Sequence, residues 1–180
     1  MPKVLLVLCH PYYKNSFANK IVVDKLKTFI PDMEIDNIHE LYPDEKIDVK
    51  AEQEKCLKAD TIIFQFPMMW FSCPHFLSKW IEDVWAHGWA YGSNGNKLEG
   101  KKLILSFTMG APAEAYKDKC DVDRLIGHLE ATGLFVKMKF AGYGCTAGIE
   151  FGIKDKADLC KDKTAELEKQ AEKVCELAHK

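Results

Sequence analysis

The chain has 180 residues and a formal net charge of −2, a length that suits one domain over residues 1–180 with a core that needs neither disulfides nor metals. Its lysines are scattered among acidic residues rather than gathered into a patch or stripe, which argues against a nucleic-acid partner. Seven cysteines, odd in number and without a Cys-x-x-Cys pair or zinc-like spacing, read as reduced thiols of a cytoplasmic protein and give no metal site.

The first strand is expected over residues 3–10, where Val4-Leu5-Leu6-Val7-Leu8-Cys9 has the unbroken apolar character of a strand buried on both faces. The chain enters it without a charged-then-apolar leader, and no apolar run nears the roughly eighteen residues of a spanning helix, so a soluble protein is expected. An amphipathic helix follows, with Ala18, Ile21, Val22, Leu26 and Phe29 at helical spacing and Pro31 ending it. A weaker second strand is read at 34–41, where Ile35, Ile38 and Leu41 do not alternate cleanly, as happens near a sheet edge. A short helix at 49–58 leads to the third strand, Ala59-Asp60-Thr61-Ile62-Ile63-Phe64, whose ladder Pro67 ends. The next helix starts at Ser72 or Cys73 and runs 74–84, Pro74 being tolerated in a first turn. Trp89 and Tyr91 sit in a glycine-bearing loop at 86–100; the fourth strand is 102–107. Asp121 or a neighbour caps a helix through 131 that Gly133 closes, the fifth strand is 136–143, and residues 155–179 form a long helix with a solvated face of mixed charge. Five strands alternating with helices predict an α/β fold, a doubly wound parallel sheet with right-handed crossovers.

Two loops carry unusual residues. After Pro67, which has no N–H to donate, come Met69, Trp70 and Phe71, where a bland loop would be polar; the N–H groups of Met68 to Phe71 are then free to bond the edge of a flat ligand. The competing reading is a loop packed under its own helix. The stretch 10–19 ends at a helix N-terminus, where the Ser16 hydroxyl and the N–H groups of Phe17, Ala18 and Asn19 suit a phosphate; Ser16 as a plain cap is the alternative. His10 is a phosphate-side donor, a metal ligand or a structural residue, and the absence of a second His or Cys at i+3 or i+4 leaves metal the least supported. Cys73 is either a reactive thiol near a helix start or a packed inert one. No Gly-x-Gly-x-x-Gly follows the first strand, and the segment from Gly142 to Gly148 is read as a turn, so a nicotinamide cofactor is expected to visit as a substrate.

The order Gln-Phe-Pro-x-x-Trp-Phe at 65–71, followed by Pro74 and a helix with Trp80, Glu82 and Val84, resembles the NAD(P)H:quinone oxidoreductases of the flavodoxin-like superfamily. It is most similar to their short bacterial type, related to the potassium-efflux ancillary oxidoreductases. His10, Pro11, Ser16 and Asn19 match that family's phosphate loop, and Thr108-Met109-Gly110-Ala111 resembles its Thr-Thr-Gly-Gly segment, with Met109 and Ala111 as departures. The resemblance covers residues 3–110 and more loosely extends to 148.

The resemblance implies a flavodoxin-like five-stranded sheet of order 2-1-3-4-5, whose loops after strands one, three and four converge on one crevice. It implies hydride transfer from NAD(P)H through a bound flavin to a quinone or similar flat acceptor, with FMN expected in a chain this short and FAD held by larger relatives. The flavin-binding residues carried over are His10, Ser16, Phe17, Ala18, Asn19, Pro67, Met68, Met69, Trp70, Phe71, Thr108, Met109, Gly110, Ala111 and Tyr116. Gly110 has no side chain to keep a backbone N–H from the flavin ring. Tyr116 matches a tyrosine that donates to the flavin or quinone oxygen in animal members, but its partner histidine has no counterpart between Lys117 and Asp123, so a surface role stays open. Trp70, Trp80, Trp85 and Trp89 all fall in one segment, which in the family belongs to a homodimer interface. Two other readings are carried beside the enzyme: a flavin-binding ancillary subunit of a membrane potassium-efflux system, and an electron carrier, a class that tends to be strongly acidic.

Overall fold

The structure is a computed structural model and describes residues 2–150 and 152–180. Five strands, β1 (Val4–Leu8), β2 (Glu34–Asn37), β3 (Thr61–Pro67), β4 (Lys102–Thr108) and β5 (Lys139–Thr146), form one all-parallel sheet of order β2-β1-β3-β4-β5. The helices are α1 (Ala18–Phe29), α2 (Ile38–Leu41), α3 (Val49–Lys58), α4 (His75–Val84), α5 (Val122–Phe135) and α6 (Ala157–His179). None is long and apolar enough to cross a membrane.

Strand pleating sends alternate side chains to two separate cores. Val4, Leu6 and Leu8 of β1 pack with Val22 and Leu26 of α1 and with Leu167, Ala171 and Val174 of α6. Leu5 and Val7 join Phe64 and Phe66 of β3, Leu105 and Phe107 of β4, Trp80 of α4, and Ile126 and Leu129 of α5 on the other face. Burial on both faces is why β1, β3 and β4 read as continuous apolar runs.

Several boundaries differ from the sequence reading, each for a physical reason. The second strand stops at Asn37 and a helical turn, α2, takes residues 38–41; the three-residue spacing of Ile35, Ile38 and Leu41 was already closer to helix than to strand. Pro74 precedes α4 as its cap rather than entering its first turn. Gly133 lies inside α5 and does not close it: a Cβ there would stand 2.6 Å from Leu103 Cδ2, so glycine lets the helix approach β4. Closure falls to Lys137, at φ +62, with the Met138 N–H donating to the Gly133 carbonyl at 2.9 Å. The fifth strand accordingly begins at Lys139, three residues late, and continues through Gly142 and Gly144, which are strand and not turn. Gly144 has the packing reason again, since a Cβ would meet Val174 Cγ2 at 2.7 Å.

The tryptophans divide. Trp80 and Trp85 are core residues against Phe64, with ring centroids 5.9 and 5.5 Å away, so clustering in sequence does not make these two an interface. Trp70 is 95% exposed.

Candidate active site

The loops after β1, β3 and β4 meet at the carboxyl ends of the strands, on the α1 and α6 side of the switch between β1 and β3. A fourth segment, the β5–α6 connection, closes the ring. Together they wall a cleft of about 550 Å³, inside the range of small-molecule sites.

At the end nearest α1 a 3-10 turn, Tyr13–Asn15, delivers Ser16 in extended conformation. The Ser16 Oγ accepts the Asn19 N–H at 3.2 Å, the contact of an N-cap, so the helical turn effectively begins at Phe17. The N–H groups of Phe17 and Ala18 have no backbone partner among the described residues, and both residues line the cleft at the positive end of the α1 dipole. His10 also lines the cleft. Its Nδ1 accepts the Tyr12 N–H at 3.0 Å, leaving Nε2 as the N–H end. Burial, with a smaller repulsion from His39, lowers its pKa to about 4, so the ring is a neutral donor. No group of three metal-ligating side chains occurs among the described residues.

Three loops are pinned by one buried relay. The Gln65 amide of β3 donates to Asn19 Oδ1 at 2.7 Å, and Asn19 Nδ2 donates to Thr108 Oγ1 of β4 at 3.0 Å. Gln65 Oε1 is buried without a partner among the described residues. Residues 46 and 89 positions apart are thereby locked around α1.

The aromatic turn is built differently from the sequence expectation. Met69 and Ser72 exchange both backbone hydrogen bonds, at 2.8 and 3.0 Å, around Trp70 at φ +49 and Phe71 at φ +62. This is a two-residue hairpin turn with left-handed backbone at both centres, where asparagine and glycine ordinarily sit. Two bulky residues there hold backbone strain of about 1 kcal/mol or more each. The Met68 N–H goes to the Thr108 carbonyl at 2.8 Å and that of Met69 to Ser72, so neither is free for a ligand as the sequence reading had it. Only the N–H groups of Trp70 and Phe71 in that stretch lack a backbone partner among the described residues.

Eleven of the anticipated residues line the cleft: His10, Ser16, Phe17, Ala18 and Asn19 at one end, Pro67, Met68 and Met69 along one wall, and Thr108, Met109 and Gly110 on the floor. A Cβ on Gly110 would meet only the Ile149 carbonyl, at 3.8 Å. The fold itself does not demand glycine at that point, and its absent side chain leaves the backbone open to the cleft. Trp70, Phe71, Ala111 and Tyr116 are not part of this lining. Tyr116 borders a neighbouring cleft and meets Phe71 edge-on with ring centroids 6.2 Å apart, so the two form an aromatic shoulder beside the mouth. Cys73 is buried, its Sγ 3.4 Å from Ser78 Oγ and 3.9 Å from His128 Nε2, as in the packed reading.

Sequence reasoning missed the fourth wall. Ile149, Glu150, Gly152, Ile153, Lys154 and Asp155 line the cleft, and Lys154 Nζ donates to the Asn15 carbonyl at 2.9 Å, tying the β5–α6 connection to the loop before α1. The signal was there in Gly148 and Gly152, whose φ values of +73 and +76 mark a purposeful bend.

Comparison with known proteins agrees with this geometry. A family model described as flavodoxin-like fold matches residues 2–171. A glutathione-regulated potassium-efflux system ancillary protein KefF from Enterobacter sp. (strain 638) is 41% identical over 76% of this chain and 78% of its own. General stress protein 14 of Bacillus subtilis (strain 168) is 37% identical over 77% of this chain and 81% of its own. Among solved structures, general stress protein 14 from Treponema denticola in complex with FMN superposes with a TM-score of 0.78 at 31% identity, covering 94% of this chain and 99% of that one.

Proposed function

This chain belongs to the flavodoxin-like fold family, and on that premise we propose that it is a single-domain, FMN-dependent NAD(P)H:quinone oxidoreductase of the cytoplasm. The observation that carries the reading is the cleft itself: two unpartnered helix N–H groups and a serine hydroxyl at one end, an apolar floor, and an aromatic turn at the mouth. Free thiols at all seven cysteines support a reducing compartment.

The residues present fit the cofactor. The Ser16 hydroxyl, the Phe17 and Ala18 N–H groups and the helix dipole would hold its phosphate, with Lys154 supplying a positive charge nearby. Lys154 is tied across this end, which suits a terminal phosphate and so FMN rather than FAD. FMN in the 31%-identical relative supports the same choice. Met68, Met69 and Met109, which line the cleft, would give a ring system polarizable apolar walls, and the Gly110 N–H would donate to its polar edge. Bound flavin supplies the hydride-accepting and hydride-donating chemistry; the protein orients and desolvates. His10, neutral and donating through Nε2, adds a hydrogen bond without a second positive charge.

Donor and acceptor both enter at the mouth beside Phe71 and Tyr116 and take turns there, since the sheet offers no separate dinucleotide half. The Tyr116 hydroxyl donates to the incoming acceptor as the catalytic residue. Initial-rate plots at several quinone concentrations test this: parallel lines are expected, and clearly intersecting ones exclude alternating occupancy. The exposed Trp70 and Phe71 argue for a homodimer in which each chain helps wall the other's mouth.

A second reading is favoured by the 41%-identical relative, whose name describes a potassium-efflux ancillary protein. In it the chain binds flavin and regulates a membrane partner, with turnover secondary. Co-purification with such a transporter in detergent supports that role, and catalytic turnover without any membrane partner supports the first.

A further inference from the structure

A second cleft, of about 630 Å³, lies against the outer side of the β5 end and adjoins the first, with Met109 common to both linings. Tyr116 stands in its wall, and α6 presents Lys163, Lys169 and Lys173 to it. Glu166 is the one carboxylate of the lining, and it pairs with Lys163 at 2.6 Å. Three lysines against one glutamate leave two net positive charges in the lining, in a chain whose overall charge is −2.

The lysines are placed, not merely present. Lys163 is largely covered and reaches over the backbone bend: a Cβ on Gly148 would stand 3.4 Å from its Nζ, with Pro112 Cα at 4.0 Å. It therefore sits beside the loop that separates the two clefts. Lys173 Nζ lies 5.1 Å from the Tyr143 ring centroid. The carboxylate facing this region from α5, Asp123, is engaged by the Tyr143 hydroxyl at 2.7 Å. Neither Lys169 nor Lys173 makes an ion pair among the described residues. They stand one helical turn apart, with Glu166 and Glu172 three residues either side of Lys169 and Glu176 three residues after Lys173, and both line the cleft.

Resting on the proposed oxidoreductase reading, we infer that this second cleft binds the adenosine-diphosphate arm of the nicotinamide donor. A dinucleotide whose nicotinamide end enters beside Met109 must lay its charged remainder somewhere, and the chain has no glycine-rich dinucleotide half. The phosphate-loop end of the first cleft is committed to the flavin phosphate. A doubly charged pyrophosphate matches the net charge of the second cleft, and the Tyr116 and Tyr143 rings offer apolar surface near it.

The test uses flavin-loaded protein and ADP-ribose, which carries the arm without the nicotinamide. Titration calorimetry should show binding to the wild type, weakened about tenfold by combined Lys169→Gln and Lys173→Gln, the loss of about one charge-assisted contact. The corresponding double arginine variant should stay within about threefold of wild type, since it keeps the charge. In kinetics the glutamine variant should raise KM for the dinucleotide by a similar factor, with kcat, flavin content and KM for quinone unchanged. Reduced nicotinamide mononucleotide, which lacks the arm, should be oxidised equally by both. Equal ADP-ribose affinity in wild type and glutamine variant, or no binding at millimolar concentration, overturns the inference. Failure of the wild type to oxidise any reduced nicotinamide overturns the oxidoreductase reading instead, and the ADP-ribose titration still decides what the cleft binds.

Discussion

Asn19→Leu removes the centre of the relay that holds three loops together. The variant leaves the Gln65 amide nitrogen unpaired beside a Gln65 Oε1 that already lacks a partner, and takes the Asn19 donor from Thr108 Oγ1. A buried amide left without its partner costs about 1–3 kcal/mol and a hydroxyl that can rotate costs nearer 1; leucine returns about 1 through its extra apolar surface, for a net loss of about 1–3 kcal/mol. In a domain of this size that corresponds to a fall in Tm of roughly 2–12 °C. Urea unfolding of the flavin-free protein, followed by circular dichroism, measures it without any contribution from ligand binding. The slope m should be unchanged, because the same surface is exposed. Adding Gln65→Leu removes the orphaned amide, so the double variant should recover about 1–2 kcal/mol relative to additivity. An Asn19→Leu variant within about 0.5 kcal/mol of wild type, or strict additivity of the pair, would refute the relay as a structural pin.

Tyr116→Phe should lower the turnover number about threefold to thirtyfold with flavin content unchanged, a reduced share of what one acid or oxyanion-type donor supplies because no histidine partners it; wild-type turnover would assign Tyr116 to the aromatic shoulder alone. A third prediction concerns Asp36, buried on β2 beside Glu52, with both carboxylates on Lys55 and Glu52 further held by the Tyr42 hydroxyl and the Trp80 N–H. Burial, then the Glu52 carboxyl, push Asp36 up to about 7, while against its own burial the hydrogen bond from protonated Asp36, then those from Lys55, Tyr42 and Trp80, hold Glu52 below the usual carboxylate range. The folded chain then holds a proton that the unfolded one releases near pH 4, so this group's contribution to stability declines from about pH 4 to about pH 7. Asp36→Asn should therefore be more favourable relative to wild type at pH 8 than at pH 5 by about 1–2 kcal/mol, below the roughly 2.7 that an uncoupled group would give over two units; a difference independent of pH contradicts the assignment. Light scattering at micromolar concentration should give twice the chain mass, and a fully active monomer would exclude shared sites.

The sheet was legible because burial on both faces writes β1, β3 and β4 as unbroken apolar runs, and the alternation with helices then fixes a doubly wound order. Edges were less legible. β2 is short and gives way to α2, and the start of β5 was misplaced because Gly133 and Gly144 serve close packing against Leu103 and Val174, contacts that no local pattern reveals. The Ser16 cap before α1 and the turn after Pro67 could be found from residue chemistry, since cap residues and exposed aromatics stand out locally. The fates of the Met68 and Met69 N–H groups could not, being decided by Thr108 from another strand and by a hairpin that two large residues would not ordinarily adopt. The Lys154 tie and the lysine cleft escaped for the same reason. A lysine on a helix face looks like solvated charge until the fold shows what lies opposite.

The central claim, a flavin held non-covalently by the cleft around Ser16, Met109 and Gly110, is tested most directly by the visible spectrum of the purified protein, followed by heat release and chromatography of the pigment. A yellow protein that releases FMN is the predicted result; colourless protein that gains no flavin absorbance on reconstitution would contradict it.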